Sequence, residues 1–226
     1  MPSIVFVHGI WADGSCFSKV IPPLRAAGYE VVASQHSLDS LAGDVDTVVR
    51  TIGRVTPPVL LVGHSYGGTL ITKAGIDDRV AGLVYLAALG PDESETSAGL
   101  QAKFPKADAF GYVALADGRL WLLPAGVSCF AGDLTEEEQQ VVWATHIPPA
   151  ADLFDQQVPG TAWQSKPSWY IVANNDHAVH PELERFSAKR MGATTFDVDS
   201  SHVPMLSQPA FVVDVIRNAA KSLWGS

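Results

Sequence analysis

Five consecutive residues, Gly63-His64-Ser65-Tyr66-Gly67, carry the most specific chemistry in this chain. They follow the unbroken apolar run Val59-Leu60-Leu61-Val62 and precede a stretch of helical character. A serine on a strand-to-helix turn projects its oxygen above the sheet, and glycines two residues either side let backbone segments cross closely. The helix that follows aims its first N–H groups at any negative charge forming beside the serine. The bare pattern G-x-S-x-G is common, but this setting makes Ser65 the candidate nucleophile.

A serine hydroxyl is a weak nucleophile and needs a base. The chain has seven histidines. In sites of this kind the partners follow in the order serine, acid, histidine. His202 fits: it lies in Ser200-Ser201-His202-Val203-Pro204, between the last strand-like and the last helical segment. Side chains that face ligands in parallel sheets sit at such strand C-terminal ends. His64 flanks the serine and is expected to point away from it. An acid must hold the imidazole tautomer and stabilise the imidazolium. Asp176 is the candidate, just past a strand-like run and before Pro181; Asp197 and Asp199 compete, although alternation makes Asp197 a solvated edge residue.

A tetrahedral intermediate also needs two donors for its oxyanion. The backbone N–H groups of Tyr66 and Ile10 are the candidates, with Gly9 allowing close approach in His8-Gly9-Ile10-Trp11. Gly9, Trp11 and Val203 are the expected substrate-pocket residues. His177 and His180 with Asp176 imitate a metal site, but the spacing is not one of the usual zinc patterns, so no metal is expected. The chain has no G-x-G-x-x-G after a strand and no Walker motif, and no cofactor is expected.

The elements that must position these residues alternate. Strand-like runs at 4–7, 30–33, 59–63, 80–88, 168–173 and 194–198 are separated by helical stretches at 15–27, 41–55, 66–76 and 181–191, with a final helix over 209–223. Continuous apolar runs mark strands buried on both faces. The rhythm predicts an α/β fold with about six mostly parallel strands, helices on both faces and right-handed crossovers. It breaks over 90–166, a stretch rich in proline that holds Trp121, Trp143 and Trp163. There Thr135-Glu136-Glu137-Glu138 reads as a capping box starting a helix to about 145, and a second short helix is expected after Pro148-Pro149. The expected organisation is one domain over 1–226 with a small helical cap inserted at 90–166.

Composition narrows the partners. The 226 residues suit one domain, and 47% apolar against 17% charged residues reads as a folded globular chain. The formal net charge is −9, from 24 acidic and 15 basic residues, with no Lys/Arg cluster. Nucleic acid and anionic membranes are therefore excluded as partners, and a neutral small molecule is favoured. Cys16 and Cys129 are expected to be free thiols. No basic leader or apolar span is visible, so a cytoplasmic protein is expected.

With these pieces the chain resembles the small bacterial esterase-like members of the α/β-hydrolase superfamily, relatives of plant methylesterases and hydroxynitrile lyases. The matching residues are Val5-Phe6-Val7-His8-Gly9, Gly63-His64-Ser65-Tyr66-Gly67-Gly68, Asp176 before Pro181, and the run from Ser201-His202-Val203-Pro204 to Pro209. The resemblance implies an α/β-hydrolase fold whose sheet starts at the superfamily's third strand. It also implies hydrolysis of small carboxylic esters through an acyl-enzyme, and a homodimer formed through the cap as a candidate assembly. The lyase relatives carry threonine where Gly9 stands and lysine where Val203 stands, so this chain is similar to the esterases at both positions. Haloalkane dehalogenases of similar fold use an aspartate nucleophile, which Ser65 excludes. Cofactor-free haloperoxidases and hydrolytic receptors share the triad. The alternatives are a ligand-binding protein with slow turnover and a carbon–carbon lyase acting on cyanohydrins.

Overall fold

The structure, a computed structural model, describes residues 2–225. Its centre is a six-stranded sheet in the order β2-β1-β3-β4-β7-β8, with every neighbouring pair parallel. The strands are β1 (Ser3–Val7), β2 (Glu30–Ser34), β3 (Val59–His64), β4 (Val80–Leu86), β7 (Ser168–Ala173) and β8 (Thr194–Val198). β1, β3 and β7 are buried along their whole length, which is why they read as unbroken apolar runs. β2 and β8 lie at the edges and expose part of theirs.

The helices are α1 (Ile21–Ala26), α2 (Leu41–Ile52), α3 (Tyr66–Ala74), α7 (Pro181–Met191), the short α8 (Pro204–Ser207) and α9 (Pro209–Trp224), besides those of the segment between β4 and β7. The chain moves from β1 outward to β2 and then back across to β3, so right-handed crossovers place α1 and α2 on opposite faces. Accordingly α1 packs with α9, and α2 packs with α3. That reversal of direction makes the gap between β1 and β3 the switch point of the sheet, where ligand crevices form.

The helix expected over 15–27 is instead a 3-10 turn at Gly14–Phe17 followed by α1. Pro22 and Pro23 explain the break. Proline is tolerated only in the first turn of a helix, so a helix containing them has to begin at Ile21.

The segment between β4 and β7 differs from the expected helical cap in two respects. It holds α4 (Ser97–Gln101), α5 (Val127–Ala131) and α6 (Glu136–Ala144), but also an antiparallel hairpin of β5 (Val113–Ala116) and β6 (Arg119–Leu122). The turn is Asp117-Gly118, both with positive φ (52° and 72°), the geometry that matches the twist of a hairpin. Asp-Gly between apolar runs is a hairpin signal, and it was there to be read. The capping box of α6 is present as expected, with Thr135 and Glu138 bonded reciprocally. The short helix expected after Pro148-Pro149 is replaced by 3-10 turns at Leu153–Asp155 and Ala162–Gln164.

Candidate active site

Four loops leave the C-terminal ends of β1, β3, β7 and β8 and converge over the switch point. The loop after β3 is the tightest. Ser65 sits at φ 56° and ψ −124°, a strained conformation for a residue with a side chain. The glycines around it are required by contact. A Cβ on Gly63 would stand 2.5 Å from the Gly67 carbonyl oxygen, and one on Gly67 would stand 2.1 Å from that of Val7. Gly68 is closed in the same way by the Leu89 carbonyl oxygen at 2.3 Å. The turn therefore crosses both neighbouring strands at backbone distance, and the serine is held up at the strand ends.

Ser65 and His202 line one small cavity, together with Ile10, Trp11 and Phe130. Ser65 Oγ and His202 Nε2 have no hydrogen-bond partner among the described residues. Behind the ring, His202 Nδ1 meets Asp176 Oδ2 at 2.5 Å, both side chains being buried. The other carboxylate oxygen of Asp176 accepts the N–H groups of Ala178 (2.6 Å) and Val179 (2.8 Å). The two competitors are engaged elsewhere: Asp197 pairs with Arg185 at 2.7 Å and Asp199 accepts from Asn174 at 2.8 Å, both exposed.

The N–H groups of Ile10 and Tyr66 donate to no described residue. Gly9 lines neither this cavity nor the larger one beyond it. A Cβ on it would stand 2.5 Å from the Ser65 Cβ, so Gly9 is the floor beneath the serine rather than a wall of the pocket. Trp11 lines the small cavity and also, with Val203, a larger one beyond. Trp11 has φ 54° and ties the β1 loop to the segment above: its N–H donates to the Ile147 carbonyl (3.1 Å) and its Nε1 to that of Leu120 (2.8 Å).

Several residues at the site escaped the sequence reading. His64 does point away from the serine, and its purpose is visible: Nε2 donates to the His202 carbonyl at 2.7 Å, holding the loop that carries the base. Burial keeps His64 well below the usual histidine range, hence neutral and able to donate from one nitrogen. Asp133 accepts both the N–H (2.9 Å) and the hydroxyl of Ser201, clamping the same loop from above. Asp44 on α2 accepts the Tyr66 hydroxyl at 3.1 Å and so steadies the residue after the serine; burial raises its carboxyl to about 6.

Glu184 on α7 is fully buried against Asp176 and accepts the Ala173 N–H at 3.0 Å. Burial, then the Asp176 charge, push its carboxyl well above the ordinary value. Its signal was positional: Glu184 falls on the buried stripe of α7 with Leu183, Ser187, Ala188 and Met191. His180 accepts the Glu182 N–H at 3.3 Å as the N-cap of α7, and His177 Nδ1 pairs with Asp108 at 2.8 Å.

A strained serine on a strand-to-helix turn, faced by a histidine backed by a carboxylate at the switch point of a parallel sheet, defines the serine-hydrolase class of α/β proteins. The chain belongs to the alpha/beta hydrolase family, whose pattern it matches over residues 4–215. It is 29% identical to an alpha/beta hydrolase of Aspergillus novofumigatus, over 97% of this chain and 96% of that one. It is 36% identical to a carbendazim hydrolyzing esterase of a Nocardioides species over 47% and 49% of the two chains. The crystal structure of a pyrethroid hydrolase from Sphingobium faniae superposes with a TM-score of 0.82, covering 98% of both chains at 22% identity.

Proposed function

We propose that this protein hydrolyses carboxylic esters of small, largely apolar compounds, with Ser65, His202 and Asp176 as its catalytic triad. One observation carries the assignment: Ser65 Oγ and the bare Nε2 of His202 face the same cavity, while Asp176 fixes the opposite nitrogen of that ring. With Nδ1 protonated toward Asp176, Nε2 presents a lone pair. It takes the Ser65 proton as Oγ attacks the ester carbonyl, and the oxyanion settles on the N–H groups of Ile10 and Tyr66. His202 then returns the proton to the departing alcohol. Water, deprotonated by the same nitrogen, attacks the acyl-serine and frees the acid.

The esterases among its relatives support the reaction class. No lysine or arginine lines the cavity of Ser65 and His202, so an anionic leaving group such as cyanide would find no counter-charge, whereas an alcohol leaves neutral. The segment 90–166 acts as a cap, a reading supported by the two bonds from Trp11 and the clamp from Asp133. The described residues include no helix long and apolar enough to cross a membrane. Free Cys16 and Cys129 thiols fit a reducing compartment, which supports placing the enzyme in the cytoplasm.

Release of p-nitrophenol from short p-nitrophenyl esters tests the proposal. Ser65→Ala and His202→Ala are each expected to lower turnover on the order of 10⁴-fold or more, since removing either member disables the triad as a unit. Wild-type turnover by either variant would overturn the assignment.

A further inference from the structure

The chamber that holds Ser65 and His202 has about 10 Å³ of free volume, which is the room of a single water molecule. It accommodates reacting atoms but not the groups attached to them. On the far side of Trp11 and Phe130 lies a second cavity of about 250 Å³, walled by those two rings with Leu134, Val142, Val203 and Leu206. Trp11 and Phe130 line both spaces, so they are the partition between them.

We infer that this second cavity receives the alcohol portion of the ester, and that the protein prefers esters of bulky, neutral, apolar alcohols, aromatic ones included. The inference rests on the esterase reading above. Its geometry comes from the proton path. The leaving oxygen must approach His202 Nε2 to be protonated, so the group attached to it lies on the histidine side of the chamber. That side is where the cavity lies: Val203 follows the base directly, and the Phe130 ring stands edge-on to the His202 ring at 4.8 Å between centroids. The Phe130 ring also stands edge-on to Trp11 at 6.1 Å, so a substrate that occupies both spaces has to displace that phenyl. An apolar cavity of about 150 Å³ is enough for benzene, so one of this size takes a fused bicyclic ring.

The cavity is a built one. Lys19 spans its mouth, reaching Glu138 at the start of α6 at 2.5 Å and the Leu206 carbonyl at 2.8 Å. One side chain thus ties together three walls: the loop after β1, the cap helix α6 and the turn after His202. Lys19 and Glu138 neutralise each other, Asp13 also lines the cavity, and the lining is otherwise mostly apolar, which suits an uncharged group. A separate cavity of about 460 Å³ borders the chamber through Gln101, Phe110 and Phe154, and it is the competing place for a bulky group.

Two esters and one alcohol separate the possibilities. 1-Naphthyl acetate is bulky on the alcohol side, methyl 3-phenylpropanoate on the acyl side, and 1-naphthol is the free alcohol. Val142→Trp fills the 250 Å³ cavity from a half-buried position, with Val142→Phe as a milder form and Ala102→Trp as the control for the other cavity. Val142→Trp is expected to lower kcat/KM for 1-naphthyl acetate at least tenfold and to leave methyl 3-phenylpropanoate within threefold, with Ala102→Trp giving the reverse. Binding of 1-naphthol, followed by tryptophan fluorescence in Ser65→Ala, should saturate and be lost when Val142→Phe is added. A loss confined to the acyl-bulky ester in Val142→Trp, or 1-naphthol binding untouched by Val142→Phe, would overturn the inference. Failure of the native protein to cleave either ester would overturn the esterase reading instead, and the 1-naphthol measurement would still decide what the cavity holds.

Discussion

Ser65 combines two demands that oppose each other. Its hydroxyl has to stand clear of the sheet, and the turn that lifts it forces φ to 56°. Such strain costs on the order of 1–3 kcal/mol and is offset by the packing that encloses the turn. Glycine meets the same backbone without a side-chain penalty. Ser65→Gly is therefore expected to be more stable than Ser65→Ala by about 1 kcal/mol, or roughly 2–4 °C in Tm for a chain of this size, while both are inactive. Thermal melts of the two variants side by side check this; equal Tm values would show that the turn stores no strain at Ser65. The same scale shows how local chemistry is divided. Ser65 and His202 face the cavity, Asp176 stands behind the imidazole, and His64, Asp133 and Glu184 brace this arrangement without reaching the cavity.

Among the elements, the segment between β4 and β7 contains a small structure whose turn requires a left-handed backbone. The β5–β6 hairpin turns at Gly118 with φ 72°, and open space surrounds the position where its Cβ would be. Any cost of a side chain there is purely conformational. Gly118→Ala should lower stability by roughly 1 kcal/mol, the penalty of a left-handed backbone for an L-residue. That shift is about 2–4 °C in Tm, measurable by calorimetry. An unchanged Tm would mean that the hairpin is not part of the cooperative unit. The consequence reaches the site through Trp11, whose indole N–H is bonded to Leu120 on β6. The loop that offers the Ile10 N–H is thus positioned by the sheet below and the hairpin above.

Over the whole molecule, acid stability is set by histidines that the proposed chemistry does not use. His8 and His36 stack face to face at 3.7 Å between centroids, buried behind the loop after β1. Burial holds His8 at about 4 and His36 at about 2, against an ordinary value of 6.5. Below pH 6.5 the unfolded chain binds protons that the folded one refuses, so their contribution to stability is present above 6.5 and is lost as pH falls. At pH 5 each loss is roughly 2 kcal/mol. Asp44 and Glu184, with raised carboxyls, run the opposite way, so the histidine effect is best read as a difference between variants. His36→Phe, which preserves the stack, should gain roughly 2 kcal/mol more over the native protein at pH 5 than at pH 7.5 in urea unfolding. A gain independent of pH would remove His36 from the account.

Some of this was legible in the linear chain. The apolar runs of β1, β3 and β7 announced buried parallel strands, and their alternation with helices led to the sheet. The G-x-S-x-G turn, His202 and Asp176 could be picked out because each follows a strand, and strand ends are the one place where a parallel sheet offers side chains to a ligand. Such features are local or periodic, so neighbouring residues carry them. The contact of Gly9 with the serine, the clamp of Asp133 on Ser201, the buried Glu184 behind Asp176 and the cavity beyond Phe130 are different in kind. Each joins residues far apart in the chain through burial and contact, and no propensity or spacing encodes which strand end meets which loop. Packing decided them, because only in the folded molecule do desolvation, neighbouring charge and excluded volume acquire values.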